Sequence, residues 1–213
     1  AFDPLYSMGA QLLETLRATT SAFSEKESRG RIIEALEMMH IHNPSDMLKK
    51  YPYQLSGGML QRCMIAVALL LRPDIIIADE PTTALDVTIQ AQIMDLLAEI
   101  KEETSTAIIL ITHDLGVVAS MADRVAVMYA GKIVEMGTCE DIFYRNAHPY
   151  TQALLKSLPS VDADKKDKLV SIPGTPPDLL SPPAGCPFCT RCRYCMPVCK
   201  EEMPPDTDFG GGH

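Results

Sequence analysis

The chain of 213 residues is 46% hydrophobic and 22% charged, a composition that supports a buried core and excludes a disordered protein. Its formal net charge of -9 argues against a general nucleic-acid-binding protein, because such proteins carry a basic surface. The longest apolar run covers residues 64–71, far fewer than the roughly 20 residues of a membrane-spanning helix, and no charged and apolar leader opens the chain, so we expect no secretion signal.

The first part of the chain is predicted to be helical. One helix is expected near residues 9–16. Residues 24–39 repeat apolar side chains with helical spacing, which predicts an amphipathic helix, and Ser24 and Glu27 have the spacing of a capping box at its start. An Asn-Pro pair ends this helix, and a short helix is expected over residues 45–50.

The segment 55–62 reads Leu-Ser-Gly-Gly-Met-Leu-Gln-Arg and leads into a helix predicted over residues 59–71. A helix start presents backbone N–H groups and the positive end of the helix dipole, which together attract anions. Glycines also let the backbone approach a phosphate closely. Ser56, Gly57 and Gly58 are therefore candidates for phosphate binding. Taken alone, the motif also fits a plain turn in which Ser56 caps the helix.

An apolar, β-branched run at residues 75–78 predicts a buried parallel strand. Asp79 and Glu80 follow it, at the end of the strand where α/β sheets place their ligands. The carboxylate of Asp79 can hold Mg²⁺ through water, and that of Glu80 can act as a general base toward water. The alternative for this pair is a structural cap on the helix that follows.

A second buried strand is expected over residues 106–111, after a helix over residues 87–102, and His113 follows that strand. A lone histidine at such a place is more often structural than functional. After His113 a helix is expected over 114–121, followed by strands over 122–129 and 133–137 that end the sheet. A turn at Gly131-Lys132 joins these two strands. Two helices within 139–157, separated at His148-Pro149, and an extended arm over 159–183 are expected next.

Five of the seven cysteines crowd into one short segment, too close together for a disulfide framework spread over a fold. They are Cys186, Cys189, Cys192, Cys195 and Cys199. The last four follow the pattern C-x₂-C-x₂-C-x₃-C, the ligand spacing of bacterial iron–sulfur clusters. We predict that four of the five bind a [4Fe–4S] cluster, and a zinc site and free thiols remain alternatives.

The order and spacing of these motifs resemble one family. The segment 55–62, the pair Asp79-Glu80, the Ala-Leu-Asp that ends at Asp86, and His113 are similar to the signature, Walker B, D-loop and H-loop of ATP-binding cassette (ABC) transporter ATPases. The Gly-rich loop of such proteins, G-x-x-x-x-G-K-[ST], does not occur in the sequence. We therefore expect the chain to be the later part of a nucleotide-binding subunit, which does not hydrolyse ATP by itself.

The resemblance implies an α/β fold with a partial P-loop NTPase (RecA-like) core, an ABC helical subdomain and a Cys-rich, largely irregular C-terminal extension. The implied boundaries are 1–72 for the helical subdomain with the signature, 73–138 for the C-terminal part of the core, and 139–213 for the extension. Residues 1–12 and 147–155 also resemble the branch that imports oligopeptides, dipeptides and nickel.

The family also implies roles for the motif residues. Two ATPase subunits, identical or different, would sandwich ATP and Mg²⁺ between them. Asp79 is implied to hold Mg²⁺, and Glu80 and His113 are implied to act in hydrolysis. The residues implied to meet nucleotide or partner across the dimer are Ser56, Gly57, Gly58, Gln61 and Asp86.

The implied function is ATP hydrolysis that drives the import of dipeptides or oligopeptides through transmembrane permease subunits. An extracellular solute-binding protein would deliver the peptides to these permeases. The subunit would lie at the cytoplasmic face of the membrane and would bind no nucleic acid. Import of nickel or another solute is the first alternative. A soluble ABC ATPase of DNA repair or translation is a second, but it predicts coiled-coil insertions or a second cassette, which the sequence lacks. A redox-sensing role for the cysteines is a third.

Overall fold

The computed structural model describes residues 2–19, 23–104, 106–158 and 171–213. The chain forms two compact units, Ala1–Asp114 and Leu115–His213. Residues 159–170 of the arm predicted over 159–183 lie outside the described residues. The described residues 171–183 contain neither helix nor strand.

Helices dominate the first unit. Its elements are, in chain order, α1 (Met8–Thr19), α2 (Glu25–Met38), α3 (Pro44–Met47), a 3₁₀ turn (Pro52–Gln54), α4 (Gly57–Leu70), β1 (Ile75–Asp79), α5 (Val87–Glu103) and β2 (Ala107–Ile111). The predicted helices and strands of this unit are present, with ends that differ by a few residues. The strand predicted over 106–111 is, however, not buried, since Ile109 and Ile111 are 49% and 48% exposed.

Helices α1, α2 and α4 pack against one another around a shared apolar core. On α1, Met8, Leu12 and Leu16 are buried, and their spacing of four places them on one helix face. On α2, Ile32 and Leu36 are fully buried and face the same core. This confirms the amphipathic pattern predicted for residues 24–39.

The capping box predicted at the start of α2 is wrong. Ser24 occupies the N-cap position with an extended backbone, but its side chain makes no capping hydrogen bond. The backbone still closes the first turn, because the amide of Ser28 donates to the Ser24 carbonyl over 2.9 Å. At an exposed helix start water can satisfy the first N–H groups, so the serine hydroxyl is not required there.

Strands β1 and β2 are parallel and pair in register from Ile75 opposite Ala107 to Asp79 opposite Ile111. The prediction that residues 75–78 are buried on both faces is wrong for the described chain. Ile76 is buried, whereas Ile75 and Ile77 are 55% and 66% exposed. An apolar β-branched run predicts a strand whose two faces can both be covered, but it does not report what covers them.

The second unit is built around a β-hairpin. Its elements are α6 (Leu115–Met121), β3 (Arg124–Tyr129), β4 (Lys132–Thr138), α7 (Cys139–Tyr144), α8 (Pro149–Lys156), a 3₁₀ turn (Cys189–Arg191) and α9 (Val198–Glu201). The two helices predicted on either side of His148-Pro149 are therefore confirmed.

The hairpin between β3 and β4 turns through the two residues Ala130 and Gly131, one residue earlier than the predicted Gly131-Lys132, because Lys132 already pairs with Tyr129 in β4. Their φ angles of 49° and 76° both lie in the left-handed region, as a type I′ turn requires. Within the described residues β3 and β4 pair only with each other, so the expectation that they end the sheet begun by β1 and β2 is not met.

Candidate functional site

The start of α4 carries the Ser-Gly-Gly motif. Ser56 is the N-cap of α4, and its hydroxyl accepts a hydrogen bond from the Met59 amide over 3.4 Å. Ser56 and Gly57 are exposed. The first amides of an α-helix lack a partner within the helix, so this exposed end can donate to an anion while the serine caps the helix. The cap and the phosphate site are therefore compatible readings of the same residues.

The two glycines also let α4 approach the chain that follows β1. A Cβ added to Gly58 would lie 2.6 Å from Ile89 Cγ2, and a Cβ added to Gly57 would lie 3.3 Å from Leu85 Cδ2. Any side chain at position 58 would thus force α4 and α5 apart. Gly58 is buried by this contact, whereas Gln61, one turn further along α4, is half-buried.

Arg62 fixes the same helix to its neighbours. Its Nη1 donates to the Met39 carbonyl over 2.7 Å, and its Nη2 donates to Gln92 Oε1 over 3.1 Å. The arginine of the motif is therefore engaged inside the first unit, on the side of α4 that faces α2 and α5. These two contacts tie α4 to its neighbours.

The carboxyl end of β1 places Asp79 and Glu80 beside the end of β2. Asp79 is the last residue of β1, pairs with Ile111 and is exposed. Glu80 leaves the strand with φ of 45°, a left-handed conformation that is uncommon for a glutamate. Its amide donates to the Ile111 carbonyl over 2.8 Å, which holds the turn against β2.

The side chains of Glu80 and His113 are in contact. His113 Nδ1 lies 3.0 Å from Glu80 Oε1, although the two residues are 33 positions apart. An ionised carboxylate can only accept, so Nδ1 carries the proton and donates. The side chain of His113 is 82% exposed and that of Glu80 is 43% exposed, so a bound molecule can reach the pair.

A residue that the sequence analysis missed completes this contact. Thr83 Oγ1 donates to the second oxygen of Glu80, Oε2, over 2.6 Å. The hydrogen bonds from Thr83 and then from His113 hold the pKa of the Glu80 carboxyl below its ordinary value, because both favour the ionised form. The signal available in the sequence was a hydroxyl three residues after a candidate base, within reach across one turn.

Asp86 has a structural contact within the chain. It is the N-cap of α5, and its Oδ1 accepts from the Ile89 amide over 3.0 Å. The same residue is exposed. Its predicted contact with a partner subunit remains a prediction.

The cysteine-rich segment folds onto an aromatic cluster formed by Tyr129, Tyr150 and Phe188. Its two ends are joined where the Cys186 amide donates to the Cys199 carbonyl over 2.8 Å. The sulfurs of Cys186 and Cys189 are buried in this cluster, and Cys192, Cys195 and Cys199 pack against it. The five predicted ligands thus do lie together in one small region.

In the part of the chain that the structure describes, the cysteine side chains are not arranged around a common metal position. Two thiolates on one tetrahedral zinc ion lie about 3.8 Å apart, since each Zn–S bond is about 2.3 Å long. The sulfurs of Cys189 and Cys195 are only 2.8 Å apart and share a hydrogen bond. Among the described residues, no group of three or more His, Cys, Asp or Glu side chains is arranged to hold a metal ion. The predicted iron–sulfur or zinc centre is therefore unsupported. None of the cysteines in the described ranges forms a disulfide.

Glu135 ties the segment after α7 to the hairpin. Its buried carboxylate accepts from the amides of Ala147 and His148 over 2.6 and 3.1 Å, and His213 Nε2 lies 2.9 Å from it. Burial alone would raise the pKa of Glu135, but these hydrogen bonds, led by that of Ala147, hold it below its ordinary value. His148 Nδ1 in turn accepts from the Tyr150 amide over 3.1 Å and so caps α8.

Comparison with known proteins gives two family matches. The family described as "ABC transporter" matches residues 6–83, and the family described as "Oligopeptide/dipeptide transporter, C-terminal region" matches residues 134–199. Across the described residues, no helix combines the length and the apolar character needed to cross a bilayer.

Similar curated proteins match along the whole chain. The dipeptide transport ATP-binding protein DppD of Bacillus subtilis is 53% identical over 213 residues, which are 100% of this chain and 63% of that protein. The oligopeptide transport ATP-binding protein OppD of the same organism is 48% identical over 205 residues, or 96% of this chain and 57% of that protein. The chain thus spans about three fifths of the length of these relatives.

A solved structure shows the fold. A dimeric ATP-binding cassette in a post-hydrolysis state with ADP and Pi is 32% identical, with a TM-score of 0.56. The match covers 64% of this chain and 58% of that one. The likeness confirms the predicted α/β, P-loop NTPase-like fold.

Proposed function

This chain belongs to the ABC transporter family of ATP-binding proteins, and we propose that it serves in an ATP-hydrolysing subunit of a dipeptide or oligopeptide importer. The observation that carries the proposal is the contact between Glu80 and His113 at the ends of two parallel strands. The family matches at 6–83 and 134–199 support peptide transport over a soluble ABC ATPase, since the second is a region of peptide transporters.

Two features of the chain fit ATP and Mg²⁺. The exposed start of α4 presents amides that suit a terminal phosphate, and exposed Asp79 presents a carboxylate at the strand end. Asp79 would hold Mg²⁺ through water molecules. When bound, Mg²⁺ offsets the negative charge that builds up on the transferred phosphoryl group.

Glu80 is the proposed general base. Its ionised carboxylate accepts the proton of the attacking water, so that the oxygen of that water can attack the terminal phosphorus in line with the leaving group. His113 donates through Nδ1 to Glu80 Oε1 and thereby holds the carboxylate, while Nε2 is directed away from this contact. Because both side chains are partly exposed, closure of a second subunit over them would exclude bulk water.

The remaining motif residues act across a dimer in this proposal. Ser56, Gly57, Gly58 and Gln61 contact the terminal phosphate of the nucleotide held by the second ATPase subunit, and Asp86 contacts that subunit. The dimer acts on transmembrane permease subunits at the cytoplasmic face of the membrane, and a solute-binding protein delivers the cargo outside. Peptides are the proposed cargo because the relatives are named for dipeptide and oligopeptide transport.

Reconstitution of the complete ATP-binding subunit with its permeases tests the proposal. We expect ATP hydrolysis that dipeptide-loaded binding protein stimulates, and loss of hydrolysis with retained ATP binding in the Glu80→Gln variant. Uptake of labelled dipeptide and of ⁶³Ni²⁺, measured in parallel, decides the cargo. Stimulation by nickel alone, or hydrolysis that no solute affects, would contradict the peptide assignment.

A further inference from the structure

The turn after β1 delivers a hydroxyl to the carboxylate of Glu80. The amide of Thr83 donates to the Glu80 carbonyl over 3.1 Å, which closes a four-residue turn. From this turn Thr83 Oγ1 donates to Glu80 Oε2 over 2.6 Å. His113 occupies the other oxygen, Oε1, at 3.0 Å. Each carboxylate oxygen therefore has a partner of its own, one local in sequence and one distant.

A partly exposed glutamate needs such partners if it is to act as a base. Its side chain has several rotatable bonds, and fixing them costs conformational entropy that solvent contacts do not offset. A catalytic group that is misplaced by about 1 Å can lose about a hundredfold in rate. One contact would leave the carboxylate free to rotate about that bond, whereas two contacts on opposite oxygens define its plane.

We propose that Thr83 is a positioning residue for Glu80, which holds the carboxylate in the orientation that accepts the proton of the attacking water. This inference rests on the proposed ATPase function. Thr83 touches neither water nor phosphate in this role and acts only through Glu80. His113 is the titratable side chain that contacts the same carboxylate, so the two partners together set its orientation.

The hydroxyl can be removed without removing the turn. The backbone amide of Thr83 closes the turn, and the next turn is closed by the Leu85 amide, which donates to the Thr82 carbonyl over 3.2 Å. Valine has the same branched shape as threonine but no donor, so Thr83→Val deletes the hydrogen bond alone. Thr83→Ser keeps the donor and loses the methyl group, which makes it the matched control.

The experiment uses the complete ATP-binding subunit in its ATPase-competent assembly. In Thr83→Val we expect kcat to fall on the order of tenfold while KM for ATP and ATP affinity stay unchanged, because the base is misaligned and the nucleotide contacts remain. Thr83→Ser should retain kcat near that of the wild type.

Three results would overturn the inference: equal losses in the valine and serine variants, an unchanged kcat in Thr83→Val, or a raised KM with kcat intact. A merely structural role for Thr83 would lower the melting temperature and would not lower kcat selectively in the valine variant with KM for ATP unchanged. If the wild-type assembly hydrolyses ATP no faster than the Glu80→Gln variant, the proposed function is overturned. The role proposed for Thr83 then falls with it.

Discussion

Replacement of Gly58 by alanine should strain the junction between α4 and α5. The new Cβ would stand 2.6 Å from Ile89 Cγ2, about 1 Å inside the normal contact distance between carbons. Ile89 is β-branched and stiff near the backbone, so the helices must separate instead. Overpacking of this kind lowers the free energy of unfolding by about 1–3 kcal/mol. The higher helix propensity of alanine over glycine offsets up to about 1 kcal/mol of that loss. We expect the unfolding temperature to fall by about 5 °C.

Far-UV circular dichroism of the chain can follow this transition, because it does not depend on tryptophan, which the sequence lacks. The matched control is Gly57→Ala, whose Cβ would meet only the end of the Leu85 side chain at 3.3 Å. The decisive variant is Gly58→Ala combined with Ile89→Ala, which removes the colliding methyl group. Our reasoning fails if Gly58→Ala is equally destabilising with isoleucine and with alanine at position 89.

Two further predictions concern the second unit. Glu135→Gln should destabilise the chain by about 1–3 kcal/mol at neutral pH. The glutamine side chain has one acceptor oxygen, so its NH₂ donor would face either the Ala147 or the His148 amide, both of which donate to the carboxylate in the wild type. Because the pKa of Glu135 is depressed in the folded chain, its ionised form stabilises the fold at pH values above its ordinary pKa, roughly 4.3. That stabilisation is lost as the pH falls through the pKa of the folded state. The difference in unfolding free energy between wild type and variant, measured in urea, should therefore shrink in acid. In Gly185→Ala the new Cβ should collide with the Cys199 carbonyl and break the hydrogen bond that the Cys186 amide donates to it. The Cys186 thiol should then react faster with a disulfide reagent. The control Gly30→Ala, where a Cβ meets nothing within 4 Å, should not change thiol reactivity.

Motifs with a local physical cause were predictable from the sequence. The β-branched run at 75–78 predicted a parallel strand and the run at 106–111 a second strand, and the structure pairs the two in parallel register. The Gly131 turn predicted a hairpin because a two-residue loop needs positive φ, and both loop residues have it. The spacing of Glu80 and His113 predicted proximity only through resemblance to a family, since no local rule joins residues on separate strands.

Features that depend on packing were not predictable. The Ser24 capping pattern is present in the sequence, but the Ser24 side chain makes no capping hydrogen bond. At an exposed helix start water can take that place. Cysteine spacing is the same for thiols that bind a metal and for thiols that pack against Phe188, so the pattern at 186–199 could not choose between them. The need for glycine at position 58 comes from Ile89, 31 positions later, and the motif read alone assigns that glycine to phosphate instead.

The most direct test of the account is single-turnover ATP hydrolysis by the complete subunit with glutamate or glutamine at position 80. Glutamine keeps the size of the side chain but cannot accept the proton of water, so we predict unchanged ATP binding and dimer closure with a rate reduced about a hundredfold or more. The same rate in both proteins would show that the carboxylate between Thr83 and His113 is not the base, and the proposed mechanism would be wrong.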